Sequence, residues 1–451
     1  MSREHLLKVG VSGIRGVVGE FLTPTLACAL GQAFGTYVGR GRVVVGRDTR
    51  RTGPMLQHAV QCGLLAAGCE VLDVGVAATP TIQIFTNASY ARGGIAITAS
   101  HNPAEYNALK LFNAEGLFFN NYERSELIDL WHQSDFNQAR NEETLGIRQD
   151  FESAPRLHLD RVLNEVDSET IRRRRFRVAL DSVNGVGSVL APEFLERRLG
   201  CQLHAINIDP KKPFPREPEP KPDVLGDLQS LLRRTGADIG FAQDPDGDRL
   251  AVVDELGNVL DNDDVLALVV RSVLMRVPGA VVVNLTTTAA IDEIAESLKS
   301  PVYRAPVGEA NVVQIMQAVK ARVGGEGTGG GIILPSVHLC RDSYSAMAFI
   351  LEHMATTGRS VSQLARDLPH FHRRLGKAPF EHGKLGRLMH DLQRRFPDAR
   401  VDRMDGLKLS WPDRWIHVRA SNTEPILRLA AEARTEEAVE HLYSSVEQAV
   451  Q

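Results

Sequence analysis

The stretch Thr98-Ala99-Ser100-His101-Asn102-Pro103 sets a hydroxyl, an imidazole and an amide side by side, and its proline stops regular structure. It follows Gly94-Ile95-Ala96-Ile97, an apolar run that reads as a buried strand. Serine and histidine at the mouth of a strand suit a nucleophile or a phosphoryl carrier. Two further motifs stand far downstream: the acidic loop Asp244-Pro245-Asp246-Gly247-Asp248-Arg249, and Arg419-Ala420-Ser421-Asn422-Thr423-Glu424-Pro425 leading to Arg428. Phosphoryl transfer needs three such devices together: a carrier oxygen, a metal to neutralise charge, and a clamp for the rest of the substrate.

Asp244, Asp246 and Asp248 alternate between two strand-like runs, Ile239–Ala242 and Leu250–Val253. Carboxylates in a tight glycine loop can converge on one divalent cation, and hard oxygen ligands favour Mg²⁺. An EF-hand is the rival, because Glu255 is twelfth from Asp244; but glycine is fourth, not sixth, and the flanks are strands. A solvated acidic turn is the plain alternative. Arg249 can grip a phosphate or a neighbouring base by a forked hydrogen bond, or pair with a loop aspartate. Lys110, in Asn107-Ala108-Leu109-Lys110, can act as general acid or base if burial and nearby cations lower its pKa, or lie on the surface. Gly324 to Gly331 lacks the Gly-Lys-Ser/Thr ending of a Walker loop, but its Glu326 and Thr328 can face sugar hydroxyls, with a flexible turn the plain alternative. Around Arg419, Ser421, Asn422, Thr423 and Arg428, hydroxyls, an amide and backbone N–H groups suit a phosphate cradle, with a capped turn and exposed arginines the plain alternative. Arg15 and Arg47 are candidates for buttressing the serine loop, or for a structural ion pair with Asp48.

These residues must be carried by several domains, since 451 residues exceed one ordinary core. Short β-rich runs alternate with amphipathic helical stretches, the mark of α/β layers, and the pattern restarts near Phe176 and Gly279. The predicted organisation is three related mixed-sheet α/β domains (1–150, 151–255, 256–367) and a smaller C-terminal α+β domain (368–451). The segment near Leu368 to Lys377 is read as the separator before the last. A formal charge of −4 argues against a broad nucleic-acid footprint, with Arg172–Arg175 a solvated exception. Five scattered cysteines without a close pair argue for reduced thiols and a cytoplasmic protein, and no apolar stretch is long enough for a bilayer.

Taken together, Thr98–Pro103, Asp244–Arg249 and the arginine-flanked Ser421–Pro425 resemble, in the same order, the motifs of the α-D-phosphohexomutase superfamily: phosphoglucomutase, phosphomannomutase and phosphoglucosamine mutase. The resemblance runs from Gly10 to Arg428. It implies four domains around a central cleft. It makes Ser100 a phosphoserine, with Asp244, Asp246, Asp248 and a phosphoryl oxygen on Ser100 holding one Mg²⁺ per chain. It gives His101 and Lys110 proton-transfer roles supported by Arg249. It gives Glu326 and Thr328 the sugar, and Arg419, Ser421, Asn422, Thr423 and Arg428 the phosphate that is not reacting. The implied partners are small sugar phosphates, with a hexose 1,6-bisphosphate as intermediate, and the chain is expected to be a monomer or homodimer. Phosphoglucosamine mutase is the first named activity. The chain departs from the pattern at Ala108, where glycine is usual, at Gly330, where many members have histidine, and at Val11, where threonine is common.

Overall fold

The computed structural model describes residues 8–10, 13–327, 329–380, 383, 385–421 and 426–450. Thr328, Asn422 and Thr423 lie outside the described residues. The chain forms two compact units, Met1–Val265 with Gly330–Arg366, and Leu266–Gly329 with Asp367–Gln451.

The first unit holds a seven-stranded sheet whose central strand, Gly93–Ile97, is buried along its whole length. That strand runs parallel to Arg42–Arg47 and antiparallel to Tyr106–Phe112, so the sheet is mixed. The two flanking strands bring Asp48 and Lys110 to the end where the serine loop leaves. The packing there is tight enough to require glycine: a Cβ on Gly94 would lie 2.3 Å from Thr86 Oγ1. The helix Pro24–Tyr37 starts on a Thr23 side-chain cap and a first-turn proline, and packs Leu30, Ala33 and Phe34 into this core. A four-stranded sheet follows in the same unit, in which Arg177–Asp181 runs parallel to Ile239–Gln243. Ile239–Gln243 then turns through the acidic loop into the antiparallel Leu250–Val253, with Gln243 opposite Leu250. The hairpin Gly331–Leu334 and His338–Arg341 completes the first unit's strands.

In the second unit, Val281–Asn284 lies between parallel partners Val302–Ala305 and Val323–Glu326. An antiparallel five-stranded sheet follows, backed by Glu436–Val450. Its strand His372–Pro379 corrects the separator reading of Leu368 to Lys377. It pairs with Ile426–Ala433 at the sheet's edge and shows little hydrophobic alternation because most of its side chains stay outside the core. The three α/β layers and the antiparallel C-terminal sheet agree with the predicted fold class. All five cysteines are free thiols. Among the described residues no helix is long and apolar enough to cross a membrane.

His338 supplies a test of stability. Burial lowers its pKa from the ordinary 6.5 to about 4, while Nε2 lies 3.3 Å from the Gly116 carbonyl. The unfolded chain therefore binds the proton first, and the stability due to neutral His338 is present above about pH 6.5 and lost as pH falls towards 4. In urea titrations from pH 7 to 4, His338→Gln is expected to flatten the decline in stability by part of one proton's slope. An unchanged slope would exclude His338 as its source.

Candidate active site

Ser100 ends the buried strand in a left-handed backbone conformation, φ 50°, which for a non-glycine residue costs about 1–3 kcal/mol. The surrounding bonds enforce it. Thr98 Oγ1 accepts from the Ser100 amide (3.0 Å) and donates to Asp48 Oδ2 (2.7 Å). Arg50, paired with Asp48, donates to the carbonyls of Ser100 (2.6 Å), Asn102 (2.7 Å) and Pro103 (2.7 Å). The buttress assigned to Arg47 is thus made by Arg50. Arg47 turns instead to Gln57 Oε1 and the Asp48 carbonyl, because its strand position points it to the neighbouring helix. Arg15 reaches the loop through Asn102 Oδ1, at 2.7 Å.

The acidic loop meets the serine loop directly. Ser100 Oγ donates to Asp244 Oδ2 at 2.8 Å, and His101 Nδ1 lies 3.3 Å from Ser100 Oγ. Lys110 Nζ is 2.6 Å from Asp246 Oδ2 and 3.4 Å from Asp248 Oδ2. One ligand oxygen from each aspartate falls within 4.8 Å of the others, and all three residues are almost fully buried. Gly247 at φ 69° permits the turn that converges them. Oδ1 of Asp246 and of Asp248 has no hydrogen-bond partner among the described residues, which leaves buried lone pairs that fit a cation. The set is all oxygen and suits Mg²⁺. The rival EF-hand fails: Glu255 is occupied by Ser360 and Ser362.

The electrostatics agree with a site built for a cation and an anion together. Burial, then Asp246 and Asp248, push the Asp244 carboxyl well above its usual range. Burial also opposes ionisation of Asp246, but Lys110 and the hydrogen bonds to this carboxylate hold it below the usual range. The lowered pKa expected for Lys110 is not found: burial disfavours the charge, but Asp246 and Asp248 outweigh it and raise the pKa. Burial, then Arg249, Arg15 and Arg341, lower His101 to about 2. His101 is therefore a weak base here, first because it is buried and then because three guanidinium groups surround it. Arg249 Nη1 is held by Glu219 at 2.7 Å, with Nε 3.9 Å from Asp248 Oδ1.

In the second unit, Glu326 Oε1 accepts from Gly308 N (2.7 Å) and Asn284 Nδ2 (3.0 Å), which fixes the carboxylate's orientation. Arg419 and Arg428 face each other across an antiparallel strand pair. Like charges placed so repel and favour an anion between them. The Ser421 amide donates to the Ile426 carbonyl at 2.9 Å, and Arg419 Nη1 lies 4.0 Å from Asp405. The sequence reading missed Thr79, whose hydroxyl donates to Asp246 Oδ2 (2.6 Å), and Arg341, which donates to Asp248 Oδ2 (2.8 Å). It also missed Arg50 and Glu219. Asp48 beside Arg50 was the available signal for the Arg50 contact; the others carry none.

Four family models match in sequence: phosphoglucomutase/phosphomannomutase alpha/beta/alpha domain I over residues 6–138, domain II over 156–257, domain III over 261–371 and the C-terminal domain over 388–449. A phosphoglucomutase/phosphomannomutase of Thermococcus kodakarensis is 38% identical over 438 residues, covering 95% of each chain. A probable phosphoglucosamine mutase of Methanopyrus kandleri is also 38% identical, over 96% of this chain and 95% of its own. The crystal structure of a phosphoglucomutase/phosphomannomutase family protein from Burkholderia thailandensis superposes with a TM-score of 0.87 at 27% identity, covering 100% of this chain and 97% of that one.

Proposed function

The chain belongs to the α-D-phosphohexomutase superfamily, a family of isomerases, and from that premise we propose that it interconverts hexose 6-phosphate and hexose 1-phosphate through a phosphoserine at Ser100. The reading rests on one observation above the others: the Ser100 hydroxyl sits 2.8 Å from Asp244 inside a buried loop of three carboxylates.

Phosphorylated Ser100 gives its phosphoryl to the sugar monophosphate, leaving a serine hydroxyl and a bound 1,6-bisphosphate. The bisphosphate turns over, and its other phosphoryl returns to Ser100. Mg²⁺ held by Asp244, Asp246 and Asp248 would supply charge neutralisation at the transferring group. Lys110 gives a proton to, or takes one from, the reacting hydroxyl. In this reading Arg15 and Arg249 support the transferring phosphoryl, whose charge would offset the part of the His101 pKa lowering that comes from the arginines rather than from burial. Glu326, with Thr328, receives the sugar hydroxyls. Arg419, Ser421, Asn422, Thr423 and Arg428 hold the phosphate that is not reacting. Arg419→Ala is expected to raise KM about tenfold or more with a smaller change in kcat, since it removes ground-state clamping. Steady-state kinetics with an unchanged KM would remove that strand pair from the site.

The preferred sugar in this reading is glucosamine 6-phosphate, converted to its 1-phosphate for cell-envelope precursors. The Thermococcus kodakarensis relative supports glucose and mannose phosphates as the second reading. A panel of hexose and hexosamine phosphates, with kcat/KM for each, tests both. The highest value on glucose or mannose phosphate would select the second. Steady release of inorganic phosphate would indicate a phosphatase, and a Ser100 that never takes phosphate from bisphosphate would indicate a sugar-phosphate-binding protein.

A further inference from the structure

We propose that Thr79 and Arg341 set which divalent cation the aspartate loop accepts, by occupying one oxygen of each of two loop carboxylates and so restricting them to one-oxygen ligation. The inference rests on the reading that Asp244, Asp246 and Asp248 hold a metal.

The division of labour within each carboxylate is its basis. Asp246 Oδ2 receives Thr79 Oγ1 at 2.6 Å and Lys110 Nζ at 2.6 Å. Asp248 Oδ2 receives Arg341 Nη2 at 2.8 Å and Lys110 Nζ at 3.4 Å. The second oxygen, Oδ1, has no hydrogen-bond partner in either residue among the described residues. Two donors fill the lone pairs of each Oδ2, and each Oδ1 is left over. Ca²⁺ takes six to eight oxygens and commonly both oxygens of a carboxylate, whereas Mg²⁺ is smaller, octahedral and content with one. Tying down Oδ2 therefore disfavours Ca²⁺.

The two donors are also fixed in place. Thr79 opens the helix Thr79–Ala88, and its amide donates to the Asp246 carbonyl at 3.0 Å. The Arg341 stem crosses Gly331, where a Cβ would fall 2.0 Å from Arg341 Cδ. Behind them stands His158, fully buried. Its Nδ1 lies 2.8 Å from Thr81 Oγ1 and its Nε2 lies 3.1 Å from Asp342 Oδ2. One imidazole thus ties the segment carrying Thr79 to the segment carrying Arg341.

The test is calorimetric titration of the full-length protein with MgCl₂ and, separately, CaCl₂ at constant ionic strength, for the wild type, Thr79→Val and Arg341→Met. The wild type is expected to prefer Mg²⁺. Each variant is expected to narrow the ratio of Mg²⁺ to Ca²⁺ affinity by about tenfold, mainly through tighter Ca²⁺ binding. Arg341→Met also removes a positive charge, which tightens both cations, and the ratio cancels that effect. Thr79→Val keeps shape and charge, so it decides alone if circular dichroism shows Arg341→Met unfolded. A lower melting temperature with an unchanged ratio would make these residues merely structural and overturn the inference. A wild type that binds neither cation would overturn the metal reading itself.

Discussion

Replacing Ser100 with alanine is expected to lower kcat on the order of 10⁴-fold or more, while sugar-phosphate binding measured by calorimetry stays within a few-fold of wild type. The separation follows from where the serine's bonds lie. Its backbone is held by Thr98 and by Arg50, neither of which needs the side chain. Alanine in the same left-handed conformation is strained no more than serine, so the loop keeps its shape. What disappears is the one oxygen that meets Asp244 at 2.8 Å. Arg419 and Arg428, the proposed clamp for the substrate phosphate, are untouched by the change. Mass spectrometry after incubation with a hexose 1,6-bisphosphate should find phosphate on Ser100 in the wild type and on no residue of the variant. A fully active variant would end the carrier role.

The parts of this site legible in the sequence are those in which several functional groups sit within a few residues. The Ser100 loop and the Asp244–Arg249 loop declare themselves because a strand end and a hairpin compress their chemistry into short runs. Thr79, Arg341 and His158 do not. Each is a common residue type whose partner lies far along the chain: 167 positions separate Thr79 from Asp246, and 184 separate His158 from Asp342. Glu219, the partner of Arg249, was hidden in a proline-rich segment whose composition announces only a loop. The fold shows the same division. Alternating β and α runs announced the layered domains, whereas His372–Pro379 escaped because an edge strand needs little apolar alternation. Arg47 and Arg50 show the limit from the other side. Both lie near Asp48, but only the backbone's path decides which of them turns towards Ser100.

Lys110→Met is expected to lower kcat about 10²- to 10⁴-fold and, independently, to destabilise the metal-free protein by about 3–5 kcal/mol. Lys110 is almost fully buried, and its ammonium is shared between Asp246 and Asp248. Methionine fills similar space, so packing changes little. The loss is the countercharge nearest to Asp246 and Asp248, with Arg341 and Arg249 still close to Asp248. Saturating Mg²⁺ should restore most of the stability, because a cation on the Oδ1 atoms neutralises the same carboxylates. It should restore little of the turnover, because methionine cannot move a proton. Urea denaturation with EDTA and with Mg²⁺, run beside steady-state kinetics, separates the two effects. If Mg²⁺ rescued both, Lys110 would be a structural countercharge only. If it rescued neither, the loop's carboxylates would not be where a divalent cation binds.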